Sequence, residues 1–331
     1  RNQGGEGEVM TELLNGYEVA AHAIRAAKVQ YLIGSNEIAR TARGFVEPIN
    51  ILDSNIDAAL GSELAGSRTF FSSVGSLKKA AFMRLPVIGL GDFETHNYSM
   101  LFLPESNQEI FDFIILAYAI CEDRKVLLPA SISIDSLAAK TSEVVDTPSL
   151  KIVENFLAPL KLDKPEKHIL YGGDDLKHKA QITKALSNSI DITKKQFERW
   201  RKKFKRTYDF TEKFMLDDAE YAFVVYGSSS TNAKIAVKNL RDKGKKVGLL
   251  RVVATPLNIK DFDILNKMKK IAVVDQHIYY SSGGALYSMI KSINSFPSNY
   301  LAEDLVTVRE YEQMFDHLEK SEKPERVWMI Q

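Results

Sequence analysis

The sequence predicts an α/β protein of two domains, each built on a mainly parallel sheet. Three observations carry that prediction. First, residues 221–226, 246–253 and 270–275 are short, β-branched apolar runs bounded by Gly, Asp or Lys, the pattern of strands buried on both faces. Second, residues 231–243 between two of them place Ile235, Val237 and Leu240 near helical spacing and stop at Gly244, a helix terminator. Third, the same alternation of helix and strand recurs from Asn15 onward. Strand, helix and strand in succession imply right-handed βαβ units.

In chain order, 16–28 is Ala-rich and reads as a helix, and 29–33 as a short strand. Residues 56–66 form a second helix closing at Gly66. Strands are expected at 67–73 and 84–91. NQEIFDFIILAYAICE (107–122) is an apolar helix to be buried against a sheet, and 125–135 follows as a strand. The segment from 162 to 215 is polar and less periodic. The domains expected are 10–160, a connecting segment of helices at 161–215, and 216–331. Residues 1–9, RNQGGEGEV, read as a leader or tag remnant, with Met10 as a natural start.

Composition narrows the function classes. The chain has 331 residues, 45% apolar and 26% charged, and its net charge is +1. No strong field directs it to nucleic acid or to a membrane surface. No apolar run reaches about 18 residues, so the cytoplasm is the default expectation. One cysteine, Cys121, precludes a disulfide within the chain and a four-cysteine iron–sulfur site.

Several side chains invite a functional reading. His96 lies in FETHNY and could meet an anion or move a proton; a surface-loop histidine is the plainer reading. His277 follows a strand at the carboxyl edge of the second sheet, where α/β proteins place ligands; an interface role competes. His22 and Arg68 read as core or interface residues, Arg68 pairing with a carboxylate or capping a helix. KKQFERWRKKFKR (194–206) is basic, but Phe197, Trp200 and Phe204 share a helical face and should pack inward. Its charged face could dock an acidic subunit. GSSS (227–230) resembles a phosphate turn without the GxGxxG spacing or a lysine; packing of a helix start is the alternative. YGGDD (171–175) has no motif value by itself. Cys121 reads as buried and inert.

GSSSTNAKIAVKNLRDKGKKVGLLRVVATPLN, followed by IAVVDQHIYYSSGGALY, resembles the second domain of the α subunit of 2-oxoacid:ferredoxin oxidoreductases. Earlier stretches are similar too: GYEVA at 16–20, LGSELAGSRTFFSSVGSL, RLPVI, and ESNQEIFDFIILAYAICEDRKVLLPASISIDS. The resemblance covers about 15–150 and 216–295. It implies a thiamine-diphosphate pyrimidine-type domain followed by a transketolase C-terminal-like domain. It further implies a β subunit carrying the Mg²⁺-diphosphate half of thiamine diphosphate and a [4Fe–4S] cluster, with γ and ferredoxin-like subunits. The implied reaction turns a 2-oxoacid and coenzyme A into an acyl-CoA and CO2, with electrons passing to ferredoxin. The chain lacks a GDG…N metal-diphosphate signature, in keeping with that division; GLGDFETHN is only superficially like it.

Departures from the family fall on its chemical residues. Gly34 stands where the family has a substrate-facing Thr, and Ser35 is the nearest hydroxyl. The Glu that protonates the cofactor ring falls on Leu52, or on Asp53 with one deletion. Gly89–Asp92 replaces the Arg that pairs with the 2-oxoacid carboxylate, and the loop after it is short. The resemblance therefore assigns Asp53 to catalysis and cofactor contact, and Ser35 and His96 to the substrate carboxylate. Three readings stay open: a divergent active α subunit, a non-catalytic paralogue serving as a structural or assembly subunit, and another thiamine-dependent or transketolase-like module.

Overall fold

A computed structural model describes residues 9–34, 36–45, 49–93, 99–162, 175–279, 282–292, 297–302 and 305–329. The chain divides into two compact units, Arg1–Tyr208 and Asp209–Gln331.

The first unit runs β1 (Val9–Asn15), α1 (Gly16–Ala26), β2 (Tyr31–Ile33), α2 (Glu37–Ala42), β3 (Asn50–Leu52), α3 (Ile56–Leu64), β4 (Thr69–Phe71), α4 (Lys78–Phe82), β5 (Ile88–Leu90), β6 (Met100–Phe102), α5 (Asn107–Cys121), β7 (Ala130–Ile132), α6 (Ser136–Lys140), β8 (Ser142–Pro148), α7 (Leu150–Phe156) and α8 (Asp175–Phe204). Within this unit six strands lie in the order β6-β7-β5-β4-β2-β3, all parallel. Each is three residues long, shorter than the apolar runs that announced them. Proline explains one trimmed end: Pro129 has no N–H for the ladder, and β7 starts after it.

α1 forms where Asn15 caps it. The Asn15 side chain accepts from the Tyr17 and Glu18 backbone N–H groups at 3.0 Å, and Glu18 accepts the Asn15 N–H at 2.9 Å, a reciprocal capping box. Its alanine face is fully buried. α5 is apolar on nearly every side and correspondingly enclosed, with Ile110, Phe113, Ile114, Leu116 and Ile120 all at zero exposure. β1 and β8 form a separate antiparallel pair. Neither strand shows a clean alternation of apolar and polar residues, VMTELLN and SEVVDTP, so the sequence carries no local signal for the pair.

The polar segment from 162 to 215, where connecting helices were expected, contains α8, one helix thirty residues long that takes in the basic stretch 194–206. The aromatic stripe explains its attachment. Phe197 and Trp200 are buried, and Trp200 lies 4.0 Å from Phe204, centroid to centroid. Asp112, buried on α5, accepts from Trp200 Nε1 at 3.0 Å, Arg206 Nη2 at 2.8 Å and Tyr208 Oη at 2.6 Å. Burial and the Asp112 charge raise the Tyr208 phenol well above its ordinary range.

The second unit holds β9 (Thr211–Phe214), β10 (Tyr221–Tyr226), α9 (Ser229–Asp242), β11 (Val247–Val252), β12 (Ala254–Thr255), a 3-10 run at Ile259–Lys267, β13 (Lys270–Asp275), β14 (Ile278–Tyr279), β15 (Gly283–Gly284), α10 (Ala285–Lys291), β16 (Pro297–Ala302), α11 (Val308–Lys320) and β17 (Arg326–Met329). Its sheet runs β17-β16-β13-β10-β11-β9, parallel except for β9. The two parallel-sheet domains expected from sequence are thus observed. α11 starts at a second capping box, Thr307 with Glu310. It buries Tyr311, Met314, Phe315 and Leu318 in one cluster with Val237 and Leu240 of α9, so the C-terminal tail packs back onto its own unit.

Candidate functional site

In an open parallel sheet, ligands gather beyond the carboxyl ends of the strands. In the first unit that edge carries Gly34 after β2, Asp53 after β3, Ser72 and Ser73 after β4, and Gly91 and Asp92 after β5. Neighbouring strand ends are tied together there. Gly34 N–H donates to Leu52 O at 2.8 Å, and Ser72 N–H to Ile33 O at 2.9 Å. Ser72 Oγ donates to the same Ile33 carbonyl at 3.1 Å. Asn36 caps α2 through Ile38 N–H and also donates from Nδ2 to Ser72 O at 2.5 Å.

Gly34 sits at φ +124°, a region that side-chain-bearing residues avoid. A Cβ there would collide with Ser72 Oγ and lie 3.1 Å from Ser73 Oγ. Gly89 is equally confined: a Cβ would stand 2.7 Å from Phe71 O. Gly89 is thus held by backbone packing, and Gly34 by its backbone conformation, with the serine hydroxyls that follow β4 beside it. Ser72 was not singled out in the sequence; the only signal was its place two residues into FFSS, immediately past a strand.

The residues assigned from sequence do not gather here as a described cluster. Asp53 is exposed at the end of β3, and Leu52 beside it is 42% exposed. Ser35 and His96 lie outside the described residues. So do residues 171–174 of the YGGDD turn.

The carboxyl edge of the second sheet centres on Asp275, fully buried at the end of β13. Its Oδ1 accepts from Leu286 N–H at 2.6 Å, and its Oδ2 from Tyr287 N–H at 3.0 Å and Asn299 Nδ2 at 3.0 Å. Asn299 Oδ1 accepts Gly284 N–H at 2.9 Å. The D…SGGALY run is thus a clasp in which a carboxylate and an amide hold the start of α10. A side chain at Gly284 would overlap the Asp275 carboxylate. Burial pushes the Asp275 carboxyl up to about 7, against the lowering effect of its backbone and amide donors.

The remaining candidates have structural surroundings. His277 stacks against Tyr226 at 6.4 Å, and its carbonyl accepts Ala285 N–H at 2.9 Å. The GSSS turn packs a helix start: Ser228, Ser229 and Ser230 are buried, and Ser229 Oγ accepts Val306 N–H at 3.3 Å. His22 meets the Phe45 ring edge-on at 5.3 Å; burial lowers its imidazole below the usual range, against the pull of Glu12.

Arg68 pairs with a carboxylate, through Nε to Glu122 Oε1 at 2.5 Å and Nη2 to Oε2 at 2.7 Å. Beside that pair Glu63 is wholly buried, and desolvation, then the Glu122 charge, raise its carboxyl well above the normal range. Cys121 is buried, and desolvation raises its thiol well above normal, which suppresses thiolate reactivity. Among the described residues, no group of three or more His, Cys, Asp or Glu is placed to hold a metal, and no helix is long and apolar enough to cross a membrane.

This arrangement of two parallel-sheet units has solved counterparts. 2-Oxoglutarate:ferredoxin oxidoreductase from Magnetococcus marinus superposes with a TM-score of 0.67 at 12% identity, over 93% of this chain and 65% of that one. A split gene transketolase, an inactive β4 tetramer, superposes with a TM-score of 0.53 at 10% identity, over 92% and 96%. These define the fold class. Sequence carries the relationship further. Residues 219–306 match the family model of the pyruvate:ferredoxin oxidoreductase core domain II. Pyruvate synthase subunit PorA from Methanothermobacter thermautotrophicus is 34% identical over 200 residues, covering 57% of this chain and 52% of that protein. PorA from Methanocaldococcus jannaschii is 28% identical over 322 residues, 83% of each chain. Ketoisovalerate oxidoreductase subunit VorA from Pyrococcus abyssi is 25% identical over 333 residues, 85% and 84%. The matched region spans about half of the Methanothermobacter protein. On these matches the chain is similar to α subunits of 2-oxoacid:ferredoxin oxidoreductases.

Proposed function

We propose that this chain is the α subunit of a 2-oxoacid:ferredoxin oxidoreductase. With its partners it would convert a 2-oxoacid and coenzyme A into an acyl-CoA, CO2 and a proton, and pass two electrons to ferredoxin. The observation that carries the proposal is the joint preservation of both frameworks: a six-stranded parallel edge in the first unit and the core domain II match with its Asp275 clasp in the second. The 2-oxoglutarate enzyme of the same fold was solved with 2-oxoglutarate, coenzyme A and succinyl-CoA bound. A single cysteine cannot build a cluster. The proposal therefore requires a β subunit supplying Mg²⁺, the diphosphate half of thiamine diphosphate and [4Fe–4S], with γ and ferredoxin-like subunits completing the complex.

The described residues of the first edge do not reproduce the family's donor set for thiamine diphosphate. The family uses a carboxyl in a low-dielectric pocket; here Asp53 is exposed and Leu52 presents no donor. Asp53 remains the proposed carboxylate, and Ser35 and His96 the proposed substrate contacts.

Gly34 favours a second reading, a non-catalytic paralogue that keeps the assembly. Its φ of +124° disfavours the family's threonine, whose Cβ would also displace the Ser72 hydroxyl. The two readings part in one experiment. The chain is co-expressed with its β, γ and ferredoxin-like partners, and 2-oxoacid-dependent reduction of a viologen dye is followed in wild type and Asp53→Asn. The enzyme reading expects turnover that falls by orders of magnitude in the variant, as loss of a general acid–base group does. No turnover in a complete, folded complex supports the paralogue.

A further inference from the structure

A cleft of about 380 Å³ opens in the first unit between the end of α5, the end of α7 and the last turns of α8. It lies at the amino ends of the parallel strands. α5 leaves β6 at the carboxyl edge and runs back, so Glu122–Arg124 at its far end sit opposite the edge described above. The cleft is separate from that candidate site and uses none of its residues.

Its lining is unbalanced in charge. Arg124, Lys161 and Arg199 border it, with Glu122 and Asp123 as the carboxylates. Glu122 is already spent: both oxygens accept from Arg68. Asp123 accepts the Lys125 backbone N–H at 2.9 Å. Among the described residues Arg199 is fixed without a carboxylate partner. Its Nη1 donates to Gln196 Oε1 at 2.6 Å and its Nη2 to Phe156 O at 3.0 Å, and its guanidinium lies 4.5 Å from the Phe156 ring centroid. Arg124 and Lys161 are exposed and make no ion pair among the described residues. A second cleft of about 310 Å³ shares Asn155, Phe156 and Arg199 with the first and continues along α8 past Lys202 and Lys203. Arg199, Lys202 and Lys203 are three and four residues apart and so lie along one helical face.

We propose that these joined clefts dock an acidic polypeptide segment of a partner chain. A small anion needs cations converging on one point. Here they are strung along two adjoining grooves, with one guanidinium held rigid at the junction. An extended run of Asp and Glu side chains matches that spacing, and charge complementarity of this kind sets partner choice and encounter rate.

The test measures anisotropy of fluorescently labelled decaglutamate on the full chain at low salt. Arg124→Glu/Lys161→Glu and Lys203→Glu are compared with a control reversal in the second unit, Lys320→Glu/Lys323→Glu. Each protein's thermal melt is recorded to establish that it is folded. Saturable binding by wild type is expected, weakened about tenfold or more in the cleft double variant. Lys203→Glu should weaken it less, and the control should stay within about twofold, because it alters no residue of either cleft. Absence of wild-type binding overturns the proposal, as does an equal loss in the control. Displacement of the peptide by inorganic diphosphate at matched ionic strength overturns it too, and reassigns the cleft to a small anion.

Discussion

Restoring the family's threonine at position 34 should damage the fold rather than the chemistry alone. In Gly34→Thr the new residue inherits φ +124°. Its Cβ meets the Ser72 hydroxyl, which is itself engaged with Ile33 O. A non-glycine residue in such backbone costs about 1–3 kcal/mol. Overfilling a packed site adds about 1–3 kcal/mol. At roughly 2–4 °C per kcal/mol for a unit of this size, the melting temperature should fall by on the order of 5–20 °C. Differential scanning fluorimetry of the isolated chain reads this directly. Adding Ser72→Ala removes the collision but not the backbone strain. The double variant should therefore regain part of the loss and remain below Ser72→Ala alone. A Gly34→Thr protein melting within 1 °C or so of wild type would refute the argument that this edge is built around glycine.

Other outcomes follow from the same structure. Asp112→Ala strips the shared acceptor from Trp200, Arg206 and Tyr208 and leaves a guanidinium without its partner; a loss of about 3–5 kcal/mol is expected in urea unfolding. Glu122→Gln should cost a similar amount by leaving Arg68 uncompensated. Asp275, raised to about 7 when folded, binds a proton in the native state that the unfolded chain has released. Its contribution is therefore fully present below about pH 4 and is lost as pH rises through about 7. Asp275→Asn should flatten the decline in stability between those limits, and an unchanged slope in pH-dependent unfolding would remove Asp275 as its source. Asp53→Asn, at an exposed position, should leave the melting temperature within about 1 °C of wild type, which a thermal melt checks.

The second unit was the more legible in sequence. Its central strands β10, β11 and β13 are buried and six residues long, so each gave an apolar run, and Gly244 marked the helix stop. The six parallel strands of the first unit are only three residues long, and its turns carry Pro86 and Pro129. Strand positions could be read there but not their ends. The antiparallel β1–β8 pair was invisible because its partners are more than a hundred residues apart and register is a three-dimensional property. Arg68 was readable as an ion-pairing residue; its partner Glu122 was not, since nothing local links them. The site was least legible. The resemblance put Gly34 where the family has a hydroxyl, but nothing local showed that Ser72 stands beside it. Asp275 passed unremarked within a recognised motif, although its carboxylate holds that motif together.

The central claim is that this chain completes a 2-oxoacid-oxidising complex, and assembly with turnover tests it most directly. The chain, co-expressed with the proposed β, γ and ferredoxin-like subunits, is titrated calorimetrically with thiamine diphosphate and Mg²⁺ and then assayed for viologen reduction with pyruvate, 2-oxoglutarate or ketoisovalerate and coenzyme A. The account predicts cofactor binding and dye reduction with at least one of these acids. A complete, folded complex that binds no cofactor and reduces no dye would contradict it.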